Sequence, residues 1–292
     1  MHFLVLSIIC SVSVGIIFKI ARKQDIHLSQ IIAWNYVFAI ILCYLFFSPD
    51  ISSLTNEAPW DIYISMMVLL PSIFLLLAAS IKHMGIVKTD AAQRLSLFIP
   101  ILAVWFFFKE TLNTYKIIGL TVGFPAILMI LYKTPDKKEN KWIYPAIVLF
   151  GFGIIDILFK HIALFKEVPY TTSLFIIFCG ALTLMILVVL FDAVIRRCRL
   201  RMINLAFGAL VGIFNFGNIL FYLQAHKAFA DNPSTVFAAM NMGVIVMGSL
   251  VGIFFFKEKL SKINYIGIFL ALIAIILITL SQIYSDYPIK GH

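Results

Sequence analysis

The sequence predicts an all-α integral membrane protein whose ten transmembrane helices form two inverted five-helix repeats. Three observations carry this. Of 292 residues, 62% are hydrophobic and 13% charged, with mean hydropathy +1.02; a soluble domain has about 45–50% and about 25%. Ten apolar runs, each near the ~20 residues that cross a bilayer, follow one another with short connectors. A seven-residue segment recurs, one residue changed, 148 positions downstream. So few charges cannot cover a soluble fold of this size. That excludes a cytosolic enzyme, a nucleic-acid binder and a disordered chain.

The runs occupy roughly 3–21, 29–48, 61–81, 90–108, 115–133, 142–160, 170–192, 202–224, 233–256 and 263–284. The first has no Lys or Arg ahead of it and no small-residue cleavage site, so it reads as a span rather than a signal peptide. No run alternates residue by residue, which argues against an outer-membrane barrel. Helices remain as the way to satisfy the backbone in lipid. Cys10, Cys43, Cys179 and Cys198 lie far apart without a CxxC, and read as small hydrophobes rather than disulfides or metal ligands.

The net charge of +9 is an orientation signal. Of 23 Lys and Arg, 17 fall on the side of the loops after spans 1, 3, 5, 7 and 9; Lys109, Lys116, Lys160, Lys166, Lys227 and Lys290 fall on the other. The positive-inside rule places the first side in the cytoplasm and both termini outside. The setting is the cell (inner or plasma) membrane, crossed many times.

Residues 106–112 read FFFKETL and 254–260 read FFFKEKL. The match continues through Ile118 with Ile266, Gly119 with Gly267, Ala126 with Ala274 and Ile127 with Ile275. A fainter echo joins Phe18-Lys19 to Phe159-Lys160. The halves are 1–135 and 140–292. Each has five spans, an odd number, so the second enters the membrane upside down. Inverted repeats place a substrate site near the midplane between them.

Two five-helix halves, each with a fourth span ending in hydrophobics-Lys-Glu-x-Leu and a fifth with Gly nine residues after that Glu, resemble the EamA family of the drug/metabolite transporter superfamily. The resemblance covers nearly the whole chain. It implies a transporter of a small metabolite, with export as the direction. The alternatives are a lipid-linked headgroup flippase of the same superfamily and a membrane-embedded lipid enzyme. With no ATP-binding segment in the sequence, transport is secondary active or facilitative. The expected partners are a small-molecule substrate, membrane lipid and protons. The Gly119-x-x-x-Gly123 type of face offers helix packing or a homodimer contact. No nucleic acid, cofactor or metal is expected, and no catalytic residue is assigned because GxGxxG, GxxxxGK[ST], HExxH and GxSxG are absent.

Polar groups inside spans are costly and tend to face the bundle interior. Asp156 reads as the only acid well inside a span, and Lys160 at i+4 shares its helix face. The pair is a candidate for coupling, with a structural ion pair as the alternative. Asn215, Asn218 and Tyr222 line one face of span 8. Asn241 matches Gln93 across the repeat. Gln93, Asn215, Asn218, Tyr222 and Asn241, with Asn35 between Trp34 and Tyr36, are candidate cavity residues. Interhelical hydrogen bonding is the competing reading. Arg94 is suited to a carboxylate or phosphate, against a snorkelling anchor. Glu110 and Glu258 read as helix-end packing residues.

Overall fold

A computed structural model describes residues 2–54, 58–96, 98–99, 114–132, 141–165, 167–228 and 233–285. Ten α-helices are bounded within those residues, and no strand occurs among them. They are α1 (His2–Ala21), α2 (Leu28–Phe47), α3 (Trp60–Met84), α4 (Ile86–Leu95), α5 (Thr114–Leu131), α6 (Ile143–Leu164), α7 (Tyr170–Val194), α8 (Met202–Ala228), α9 (Pro233–Leu250) and α10 (Lys262–Ser285). A π-helical turn, Val251–Phe255, ends α9.

Helices α1, α2, α3, α7, α8 and α10 are long and apolar enough to span a membrane. Helices α5 and α6 carry shorter apolar stretches, Ile117–Ile130 and Ile143–Phe159, and a third, Met240–Phe255, runs from α9 through the π-turn. Helix α4 is different. It has ten residues, includes Lys88, Asp90 and Arg94, and is mostly buried. The expected third span ends at 81 and the fourth begins at 90; the structure carries α3 to Met84 and starts α4 at Ile86. The chain turns at Gly85 alone, whose φ of 89° glycine adopts without a Cβ penalty. Residue 97 and residues 100–108 of the expected fourth span, and Lys109 and Glu110 just after it, lie outside the described residues.

The basic-rich loops meet at one end of the bundle. The Arg22 guanidinium donates to the Lys82 carbonyl at 2.6 Å. Gln30 Nε2 donates to the Arg199 carbonyl at 3.0 Å. Lys19 pairs with Glu258. Asn264 Nδ2 donates to the carbonyls of Met129, Ile130 and Tyr132 at 2.9, 3.0 and 2.9 Å. It thereby satisfies the open C-terminal carbonyls of α5, which lipid cannot serve. Cys10 and Cys43 are buried thiols without a disulfide.

The main contacts between the halves come in matched pairs. Helix α1 packs on α8 as α6 packs on α3; α2 packs on α8 as α7 packs on α3; α1 packs on α9 as α6 packs on α4. Helices α2 and α7, α4 and α9, and α5 and α10 each pack on their own counterpart.

At the α5–α10 crossing the duplicated residues reciprocate. A Cβ on Gly267 would stand 2.8 Å from the Ile130 nitrogen and 3.0 Å from the Ala126 oxygen. One on Gly119 would stand 3.3 Å from the Ile278 nitrogen and 3.3 Å from the Ala274 oxygen. These partners are themselves matched at the 148-residue offset. The small-residue faces of the two helices are therefore occupied inside the chain, where glycine lets backbones touch. Gly267→Ala would press on the α5 backbone and on the Met129 Cβ, neither of which can swing away. It should lower stability by about 1–3 kcal/mol, read as a lower melting temperature of the detergent-purified protein. An unchanged melting temperature would contradict this packing.

Candidate functional site

The site is built around α4. Its first turn leaves backbone N–H groups open, and a carboxylate from the other half takes them. Ile86 N–H and Val87 N–H donate to Glu258 at 2.7 and 3.2 Å. A negative charge there also complements the helix dipole. Glu258 in turn pairs with Lys19 of α1, and the Lys19 ammonium sits 4.4 Å from the Phe256 ring centroid. Both partners are largely buried. Gly85 is needed here twice, since a Cβ would meet Glu258 Oε2 at 2.6 Å. The π-turn sets the position of Glu258, whose own N–H donates to the Gly252 carbonyl at 3.0 Å. One carboxylate thus ties α1, the start of α4 and the end of α9 together.

Further along α4 the charges continue inward. Asp90 and Arg94 are one turn apart and share a face. Asp90 is buried, and its Oδ2 has no hydrogen-bond partner among the described residues. Arg94 donates from Nη2 to Ser11 Oγ on α1, while its Nε is buried without a partner among the described residues. Just past α4, Ser96 Oγ donates to the Gln93 carbonyl at 2.6 Å and to Asp156 Oδ2, from α6, at 3.3 Å. Arg94, Tyr170 and Tyr222 all lie within electrostatic reach of Asp156. Asp156 is nonetheless exposed. Together these side chains of α4, α6, α7 and α8 form one polar lining between the helices.

The amides extend this lining or bind neighbouring helices. Ser7 Oγ, one turn before Ser11 on α1, donates to Asn218 Oδ1 at 2.8 Å. Asn218 precedes Tyr222 by one turn on α8, so the two helices present a continuous polar strip. Asn215 Nδ2 donates to Asn35 Oδ1 at 3.4 Å, joining α8 to α2, and Asn35 Nδ2 is left without a partner among the described residues. Gln93 is half-buried beside Arg94, and Asn241 is buried on α9. The structure therefore groups Gln93, Arg94, Asp156, Asn218 and Tyr222, and sets Asn35 with Asn215 as a separate cross-helix pair. The Lys160 side chain lies outside the described residues.

Asp156 is not the only acid inside the bundle. Asp90, at the very edge of the expected fourth span, is deeply buried because that helix starts four residues earlier. Arg94 is no loop anchor, since it reaches Ser11 in the middle of α1. Ser7, Ser11, Tyr170 and the Lys19–Glu258 contact were not singled out from sequence. The i,i+4 spacings of Ser7 with Ser11 and of Asp90 with Arg94 were the available signals.

The model of the EamA-like transporter family matches residues 1–132. The chain belongs to the EamA-like transporter family. This EamA-like chain is 40% identical over 288 residues to an uncharacterized protein of Haemophilus influenzae (strain ATCC 51907 / DSM 11121 / KW20 / Rd), covering 94% of this chain and 96% of the relative. It also shares its fold with another protein of known crystal structure, at 13% identity and a TM-score of 0.60, over 98% of each chain. The EamA family lies within the drug/metabolite transporter superfamily, and this is a multi-pass membrane protein.

Removing Glu258 leaves a buried ammonium and two helix-end N–H groups unserved. Glu258→Gln should destabilise the purified protein by about 3–5 kcal/mol, as when one partner of a buried pair is lost. A double-mutant cycle with Lys19→Met should show coupling of about 1 kcal/mol or more. Additive effects in thermal or denaturant unfolding would refute the contact.

Proposed function

We propose that the protein is a secondary active or facilitative transporter that moves a small polar metabolite across the cell (inner or plasma) membrane by alternating access between two inverted halves, 1–135 and 140–292. One observation carries this: Arg94 and Ser11 from the first half and Asp156, Asn218 and Tyr222 from the second come together in one polar cluster between the helices, which in this reading lines the opening. Charge is kept inside lipid-embedded helices at a cost, and such groups mark substrate or ion pathways. The matched helix contacts and the reciprocal glycines at α5–α10 support the repeat.

Arg94, whose Nε has no partner among the described residues, offers a donor for an anionic group of the substrate, and Asp156 offers a carboxylate for a cationic one or for a coupling proton, with Lys160 as its counter-charge. Gln93, Asn215, Asn218 and Asn241 supply hydrogen bonds, with Asn35 behind Asn215. The Lys19–Glu258 contact closes the end that carries the basic loops, which the charge count places in the cytoplasm. In this reading the opening faces outward and the direction is export. A headgroup flippase is the second reading; Lys19, one of its candidate headgroup cations, is committed to Glu258, which leaves Arg94 to serve either substrate.

Reconstituted vesicles, screened with labelled amino acids, sugars and nucleosides, test the reading. At least one class should cross, and Arg94→Ala should cut the rate by about tenfold or more, from the ~1.5–3 kcal/mol of a charge-assisted hydrogen bond. Lipid scrambling with no solute transport, or transport indifferent to Arg94→Ala and Asp156→Asn, would overturn it.

A further inference from the structure

The helix seam between α4 and α9 runs from the Lys19–Glu258 contact into the bundle, and two glycines of the second half line it. At its outer turn, Val87 of α4 packs on Gly252. One turn deeper, the Asp90 carboxylate lies against Gly248: a Cβ there would stand 3.3 Å from Asp90 Cγ, and closer still to Oδ2. On the α1 side a Cβ on Gly15 would stand 3.9 Å from Asp90 Oδ1. Asp90 therefore lies against bare backbone of α9 at Gly248, with Gly15 of α1 nearby, 6% exposed, with Oδ2 lacking a partner among the described residues.

Among the described residues no ion pair is formed by Asp90; the cations on its side of the bundle are Arg94 and, beyond Glu258, Lys19. Glu258 holds Lys19, and Arg94 points at Ser11. The charged groups within electrostatic reach of Asp90 are Arg94 and Glu258. The other ionisable groups on the packed elements are placed elsewhere. Lys88 donates to the Tyr132 carbonyl at 2.9 Å, Asp156 accepts from Ser96, and His83 of α3 stacks on Tyr144 of α6. Lys82 of α3, Tyr115 of α5, His161 of α6, and Lys262 and Tyr265 of α10 are exposed. Helix α9 contains no ionisable residue. An unpaired carboxylate in such a place is neutralised or hydrated. No group of three or more metal-ligating side chains gathers among the described residues, and one carboxylate between two glycines lacks the six or so oxygens a hard metal ion needs. The ligand that fits is a proton.

We propose that Asp90 is a proton-binding site whose occupancy governs closure of the α4–α9 seam. This rests on the alternating-access reading above. With the proton bound, the neutral carboxyl packs against Gly248 and the seam closes as far as Glu258 and Lys19. When the proton leaves, the carboxylate draws water, stands beside the like-charged Glu258, and the seam opens. Proton binding on one half is thus felt by the other through direct contact.

The test needs no substrate. Nitroxide labels at K82C and K259C, both exposed positions on opposite halves, report the gap by pulsed electron resonance in a full-length chain whose four native cysteines are replaced. In the parent, raising pH from about 6 to about 8 should shift the population from the short distance to a longer one. One proton limits that shift to about tenfold per pH unit. D90N should hold the short distance at every pH, while D156N should follow the parent. A parent that does not shift, a D90N protein that shifts like the parent, or a D156N protein that alone loses the shift would each overturn the proposal. Should D90N fail to fold, infrared difference spectra at low pH decide it. A protonated-carboxyl band that persists in both D156N and E258Q supports Asp90, and its loss in either overturns the assignment. Intact vesicle transport with no pH-dependent distance change sinks this inference alone, whereas absence of solute transport sinks the broader reading.

Discussion

The structure depends on burying a polar ten-residue helix inside a bundle that lipid surrounds. Helix α4 includes a lysine, an aspartate and an arginine, and none can face hydrocarbon. Its start is answered by Glu258, its middle by glycines on either side, and its end by Ser11 and Ser96. Each answer comes from a different element: the segment after the π-turn, α1, α9 and the chain just beyond α4. The packing of the helices at the basic end follows from serving these groups. Gly85, Gly248 and Gly252 mark where backbone must come close to do it.

The same economy appears at the opposite type of interface. Helices α5 and α10 contain few polar groups and need no such service. They are joined through Gly119 and Gly267, each set against the backbone of the other helix, and through Asn264 at the open end of α5. An apolar buttress held by close backbone contact flanks a polar core held by charge.

Much of this was legible in the sequence, because span length and hydropathy are properties of single segments. Ten apolar runs match ten helices to within a few residues, except around α3 and α4. There the hydropathy pattern fails for a physical reason: α4 is shielded by protein rather than by its own apolar side chains. Asp90 stands at the edge of an apolar window, where hydropathy does not distinguish a buried carboxylate from one in a loop. Helical spacing suggests Lys160 as a partner of Asp156, and that side chain lies outside the described residues; the hydrogen bond that Asp156 accepts from Ser96, just beyond α4, joins distant segments that no spacing rule connects. Asn35 with Asn215 and Ser7 with Asn218 are likewise contacts between distant segments. The duplication did carry long-range information, since residues matched at the 148-residue offset meet reciprocally at the α5–α10 crossing.

The Glu258 contact also has a consequence for biosynthesis. The carboxylate that caps α4 lies 172 residues downstream of Ile86. At about 5–20 residues per second, the ribosome takes roughly ten to thirty seconds to supply it. During that interval the first half sits in the bilayer with an uncapped polar helix and an unpaired Lys19. It therefore completes its own structure only when the last third of the chain arrives. The start of α4 is thus capped only by a residue that follows the ninth helix.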